Sequence, residues 1–275
     1  MSNEPTISIT RPTSQSETPK TSKPGLKTHT VELPSKGFFY NQSNPLSSGK
    51  VEIYEVTVKH EDILSNQNLL KKGTVLDEFL KSLIATEGVS LDDITIGDKN
   101  ALFVASRILA YGEDYSIKVK CPECGFENTV SVDLSKIKPI EYDFSKIVKG
   151  ENKFNFVLPV SGKRVTWKLL THKDETSIDS EIKALNRSLD SSSPEITTRL
   201  KYLITSIDGD FDRLKIKRFV DNELTSRDSL ALRRSVKEFT PDLDMTFDFA
   251  CGKCGHTEKS NIPMNTNFFW PSVSE

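Results

Sequence analysis

Apolar positions along this chain fall at strand and helix spacings in two successive stretches. Residues 51–58 alternate apolar with polar and predict a strand. Residues 59–71 read as a helix closed by Gly73, and 75–86 as a second with Leu76, Phe79, Leu80, Leu83 and Ile84 on one face. Asp98 caps a third helix, whose apolar face is Leu102, Ala105, Ile108 and Leu109 and which stops at Gly112. Strands are expected over 116–120 and 128–133. After a connector of mixed polarity the order returns. Strands 153–158 and 164–169 flank the turn Ser161-Gly162, and a helix from Lys173 breaks at Ser191-Ser192-Ser193-Pro194. Residues 195–207 carry a helical pattern, 226–239 a capped helix before Pro241, and 246–250 and 259–262 a last pair of strands. Residues 1–29 are Ser, Thr, Pro and Lys with almost no apolar anchor, which predicts a disordered arm.

Both final strand pairs enclose the same motif. Cys121-Pro122-Glu123-Cys124-Gly125 is matched 130 residues on by Cys251-Gly252-Lys253-Cys254-Gly255, and these are the chain's four cysteines. In each, two thiolates leave one side of a tight turn that the glycine allows. Together Cys121, Cys124, Cys251 and Cys254 make a complete tetrahedral set for one structural Zn²⁺ per chain. A closed set leaves no position for a substrate, which points away from catalysis. Two reduced or disulfide-linked hairpins are the alternative, and His256 beside Cys254 is expected outside a completed shell.

The offset extends beyond the cysteines. Asp98 aligns with Asp228, Leu102 with Leu232, Arg107 with Lys237 and Asp114 with Asp244. Upstream the offset drifts but the order holds: Leu33-Pro34 before Gly37 parallels Leu158-Pro159 before Gly162, and His60 parallels His172. The reading is a tandem duplication of a unit of roughly 110–125 residues, a domain-sized piece; chance likeness of two amphipathic segments is the competing one. The expected organisation is an arm (1–29), a first repeat (30–140), a connector (141–152), a second repeat (153–265) and an aromatic tail (266–275). The expected fold is α+β: each repeat a helix cluster plus a zinc-ribbon β-hairpin, the two sharing one Cys₄ zinc site.

Charge narrows the function classes. Lys plus Arg number 37 against 39 Asp plus Glu, a formal charge of −2. That balance offers no broad cationic surface for nucleic acid. Around the knuckles Lys118, Lys120, Lys253 and Lys259 are offset by Glu123, Glu127, Asp244 and Asp248. A mean hydropathy of −0.41, with no apolar run of the length a bilayer needs, argues against a membrane span. No export signal is evident, so the four cysteines favour metal over disulfides and a reducing cytoplasm. Asp208-Gly209-Asp210-Phe211-Asp212 departs from a calcium loop at Arg213 and Phe219 and reads as a solvated turn. His60 and His172 have no evident nucleophile nearby and read as helix-start residues. Phe268, Phe269 and Trp270 lie too near the terminus to form an element's core; they either fold back on the body or anchor a partner.

Several of these segments together resemble the baseplate hub proteins of T-even-like contractile-tailed bacteriophages. They are Leu33-Pro34-Ser35-Lys36-Gly37, His60-Glu61-Asp62-Ile63-Leu64, Gly97-Asp98, Tyr111-Gly112-Glu113-Asp114-Tyr115 running into the first knuckle, and Phe268-Phe269-Trp270-Pro271. The likeness covers about Val31 to Pro271. It implies a non-enzymatic protein needed to build the tail's central hub, with other hub proteins as partners and no small-molecule substrate. Assembly in the infected host's cytoplasm is implied too, with the virion tail baseplate left open as a destination. A zinc-ribbon nucleic-acid-binding accessory factor is the alternative, and it would need a basic face.

Overall fold

A computed structural model describes residues 9–10, 27–188 and 194–269, which form an α+β arrangement of helices and small antiparallel sheets. Strands β1 (Ile9–Thr10), β2 (Thr28–Glu32) and β3 (Lys50–Tyr54) make one sheet, with β2 central. Strands β1 and β2 thus lie wholly and partly, respectively, inside the segment expected to be a disordered arm: Ile9 pairs with Val31, and His29 and Val31 pair with Ile53 and Val51 of β3. Most of the arm, like Trp270, lies outside the described residues.

The single helix expected over 59–71 is two, α1 (Val58–Leu64) and α2 (Gln67–Lys72). Asn66 divides them: its side-chain oxygen accepts from the N–H groups of Asn68 and Leu69, which starts a new helix. Helices α3 (Val75–Leu83) and α4 (Ile96–Tyr111) and the hairpin β4 (Asp114–Lys120) and β5 (Glu127–Asp133) follow. The later half has β6 (Phe154–Val157), β7 (Arg164–Trp167), α5 (His172–Ser188), α6 (Glu195–Leu203) and β8 (Ile204–Ile207). It continues through α7 (Arg213–Asn222) and α8 (Ser226–Glu238) to the hairpin β9 (Thr246–Ala250) and β10 (Thr257–Asn261).

Two expectations fail here. Residues 204–207 are a strand, not the end of a helix, because Ile204 and Ser206 turn inward on an edge that pairs with β7. Helix α7 was not foreseen: only Ile216, Phe219 and Val220 point inward, too few to stand out as a period. Its start is set by Asp212, whose carboxylate accepts from the Leu214 N–H at 2.8 Å. The neighbouring acids are engaged separately, Asp208 accepting from the Arg164 N–H at 2.8 Å and Asp210 pairing with Lys215 at 2.5 Å. They form a turn with no converging oxygens.

Two cores hold the body together, and each borrows from the other half. Val31, Leu46, Ile53, Phe79, Leu83 and Leu102 centre the first, which also takes in Leu243, Ile262, Phe268 and Phe269 from the far end of the chain. The second gathers Phe154, Trp167, Leu203, Phe219 and Leu232 around Phe39 from the early half. Between the cores the segment after α8 runs against α4. Leu243 bridges to Pro139, Asp242 O accepts from the Ile140 N–H at 2.8 Å, and Asn100 donates to the Asp242 carboxylate at 3.0 Å.

Gly97 is required at that crossing. A Cβ there would lie 1.9 Å from the Pro241 carbonyl oxygen. Helix propensity alone would make Gly97→Ala stabilising by about 1 kcal/mol. The contact instead predicts a loss of about 3 kcal/mol, since backbone must move. The sign of the change in chemical denaturation decides between them.

Asp98 and Asp228 occupy the third position of α4 and α8, and both are wholly buried. Asp98 accepts from the Ser35 N–H at 2.9 Å and the Tyr40 hydroxyl at 2.5 Å. Asp228 accepts from the Val160 N–H at 2.7 Å and the Ser161 N–H at 3.1 Å. Each aspartate therefore ties its helix to the loop that follows a Leu-Pro pair. Burial pushes the Asp98 carboxyl above its usual range despite donors from Ser35, Tyr40 and Thr95. Burial pushes Asp228 upward too, but there the two backbone donors win and hold it below the usual range.

The two histidines start helices, as expected. His60 Nδ1 accepts from the Thr57 N–H at 2.8 Å, closing a capping box. His172 also bridges the halves: its Nδ1 is 2.9 Å from Lys99 Nζ, its Nε2 is 3.6 Å from Asp77, and Lys99 meets Asp77 at 2.8 Å. Burial, then Lys99, depress the imidazole below its ordinary range, with Asp77 opposing. The fold thus favours the neutral ring while the unfolded chain takes up a proton. Stability from this group is complete above the ordinary imidazole pKa and is lost as pH falls toward the depressed value. Replacing His172 by Gln is expected to flatten the fall in Tm between about pH 7 and about pH 5. An unchanged slope would assign the acid sensitivity elsewhere.

Candidate metal centre

The four cysteines meet at the tips of the two hairpins. In each, the first Cys N–H returns to the carbonyl after the turn, Cys121 to Phe126 at 2.9 Å and Cys251 to His256 at 2.8 Å. The glycine N–H bonds to the first Cys carbonyl at 3.0 Å in both, Gly125 to Cys121 and Gly255 to Cys251. Both glycines have positive φ, +68° and +72°, where other residues are strained. The two knuckles are built alike because the same spacing imposes the same turn.

All four Sγ atoms lie within 4.8 Å of one another. Cys121 faces Cys254 at 3.7 Å and Cys124 faces Cys251 at 3.6 Å. A tetrahedral ion with metal–sulfur bonds of ~2.3 Å sets its sulfurs ~3.8 Å apart. The donor set therefore fits a metal ion. Each close pair joins one early and one late cysteine, so an ion here would tie the two hairpins. His256 is not in the cluster; its Nε2 lies 3.8 Å from Glu258.

The surroundings favour negative sulfur at Cys251 and oppose it at Cys254. The Cys251 thiol is pulled down to about 6, first by the Cys254 backbone N–H and then by the Lys253 N–H and Asn128. At Cys254 the His256 N–H pulls down, but Cys124, burial, Cys251 and Cys121 outweigh it and push the thiol up to about 12. Sulfurs this close cannot all be anionic without a cation between them.

Asn128, which sequence reasoning passed over, joins the knuckles directly. Buried on β5, it accepts from the Gly252 N–H at 2.9 Å and donates to the Phe126 carbonyl at 3.1 Å and to Cys251 Sγ at 3.7 Å. No signal beyond its place in a strand, where Asn is disfavoured, marks it in advance. Phe249 lies buried with Cys121 and Cys251, closing the inner side of the site. Cys254 is exposed, so the outer side is open to solvent. Lys118 pairs with Glu127 at 3.8 Å, and Lys259 stands opposite Asp248 in register, so these two lysines each face an acid on the partner strand.

Of the three aromatic residues read as either folding back on the body or anchoring a partner, the two that are described fold back. Phe268 and Phe269 are 0% and 1% exposed. Phe269 packs on Phe79 at 4.9 Å and Phe103 at 5.6 Å, and Phe268 on Tyr115 at 5.0 Å between ring centres. Both rings thus join the first core, the fold-back alternative of the sequence reading. Arg107 is the reason. Buried to 3% exposure, it donates through Nε to the Phe268 carbonyl at 3.0 Å and through Nη1 to Gly112 O at 3.2 Å. Its guanidinium lies over the rings of Tyr111 and Tyr115 at 5.0 and 5.7 Å. A cation inside the apolar run of α4 was the available signal, since a buried arginine demands partners.

Among the described residues no helix is long and apolar enough to cross a membrane. The family model described as T4 bacteriophage base plate protein matches residues 27–270. Neither a curated protein nor a solved structure matches the chain.

Proposed function

This chain belongs to the family of T4 bacteriophage base plate proteins, and from that membership we propose that it is a non-enzymatic assembly component of the baseplate hub. Its role is structural, in the phage tail, and its partners are other phage baseplate proteins. The observation that carries the reading is the span of the family match, which takes in almost the whole described body rather than one module. Hub membership, rather than a place elsewhere in the baseplate, is our narrower reading. So is assembly in the host bacterial cytoplasm.

We read the clustered cysteines as one structural zinc site per chain. An all-thiolate tetrahedral set suits a soft ion without redox or geometric preference, and it leaves no vertex for substrate. We further read the body as a tandem duplication, supported by the matched knuckle turns and by the same aspartate-to-loop bonds in α4 and α8. In that reading zinc clasps two related units, and the rigid pair presents fixed surfaces to neighbouring subunits.

The test is assembly itself. Phage lacking the protein are expected to yield host lysates without complete hubs, and a tagged chain to co-purify with hub intermediates from infected cells. Infectious particles in normal number without it would overturn the reading, and co-purification with outer baseplate intermediates alone would overturn the hub assignment.

A further inference from the structure

Helix α8 is apolar toward the second core and strongly basic on its opposite side. Asp228, Ser229 and Leu232 are buried and Val236 packs inward. Arg227, Leu230, Arg233, Arg234 and Lys237 span about 120° of the helix circumference at 100° per residue. All five are exposed. Among the described residues none of these four cations forms an ion pair. Five other cations of this half do: Lys163 with Glu223, Lys168 with Asp174, Arg199 with Glu175, Lys201 with Asp221 and Lys215 with Asp210.

The residues 130 positions earlier have a different fate. Gly97, Asn100, Phe103, Val104 and Arg107 lie on the corresponding face of α4, and that face is covered. Pro241 sits on Gly97, Asp242 accepts from Asn100, Phe269 packs on Phe103, and Arg107 holds the Phe268 carbonyl. Chain from the later half thus supplies the cover for α4. The α8 face is offered to solvent instead, with Phe103 and Arg107 replaced by Arg233 and Lys237 in the alignment.

We propose that this α8 face docks an acidic segment of another baseplate protein, an inference that rests on the structural role argued above. Guanidinium groups present forked donors that match carboxylates bidentately, and Leu230 in the middle supplies apolar contact for a peptide. Nucleic acid fits less well: a chain of net charge −2 exerts no long-range pull on a polyanion, and Glu238 stands exposed at the end of the face. Docking of this kind is salt-sensitive.

The experiment uses the full chain co-expressed with the phage's other baseplate proteins, sedimented at physiological salt, and treated with a carbodiimide that joins lysine amines to carboxylates. Wild type is expected to co-sediment, with Lys237 linked to an Asp or Glu of another baseplate protein. Charge reversal at Arg233→Glu with Arg234→Glu should lower the co-sedimenting fraction at least tenfold at unchanged Tm, while Arg233→Lys with Arg234→Lys retains it. Reversal variants that assemble like wild type would overturn the inference and leave the function reading standing. Wild type that fails to co-sediment would overturn both. Should the reversal lower Tm, the cross-link decides, and an unlinked Lys237 in wild-type assemblies sinks the proposal. So would binding of a 20-base-pair DNA duplex that the reversal abolishes.

Discussion

On the zinc reading proposed above, Cys251→Ser is expected to abolish metal binding and open the two hairpins. Beyond the cysteine cluster, few contacts join their tips: Asn128 to Gly252 and Cys251, Lys253 over the Phe126 ring at 5.8 Å, and the small apolar cluster around Phe249. Metal bound only by the folded arrangement contributes its binding energy to folding. Its loss belongs among the largest single-site effects, about 4 kcal/mol or more. The damage should be local. The bases of the hairpins stay anchored, because Ile117, Leu134, Leu243 and Ile262 are in the first core. Amide exchange is therefore expected to rise by about three orders of magnitude in β4, β5, β9 and β10, and little in the second core. On the same reading, chelating the wild-type protein should reproduce the pattern, and adding zinc back should reverse it. Metal-free protein with unchanged protection in those strands would show that the sulfurs meet for packing alone.

The second large effect lies at the opposite end of the hairpin bases. Phe268→Ala and Phe269→Ala each remove a ring from a filled core, a change that typically costs about 3–5 kcal/mol. The rings touch each other at 5.3 Å, so the pair will not add simply. Against a typical domain stability of about 5–15 kcal/mol, the double variant should leave the first core largely open. Arg107 would then be a buried cation that has lost its best-placed carbonyl. Thermal denaturation within about 2 °C of wild type would show that the tail is not docked in solution. The same measurement bears on partner binding. For Phe268 or Phe269 to engage a hub neighbour, that contact must first replace the burial seen here, so a partner using them should destabilise the first core when it binds.

Much of this molecule is legible in its order of residues. The matched C-x-x-C-G turns announced a shared site because a glycine at fixed distance from two cysteines permits few backbone paths. Helices α4 and α8 were legible from a period and a stop, whereas their N-caps are Thr95 and Thr225 and the aspartates read as opening them sit in the first turn. By contrast the strand at 204–207 reads as helix locally, and only its pairing with β7 overrides that preference. Helix α7 carries too few inward residues to announce itself.

What the linear chain determined, then, is what depends on neighbours a few residues apart: turns, caps, alternation and the ligand types. Tertiary structure alone decided what depends on distant residues meeting. It brought Asn128 under the second knuckle, put Pro241 against Gly97, and drew Phe268 and Phe269 into a core begun more than two hundred residues earlier. The physical reason is that burial is set by the space left between packed elements. That space is not encoded in any short window, so the same Phe-Phe pair can read as a free anchor or as the closing piece of a core.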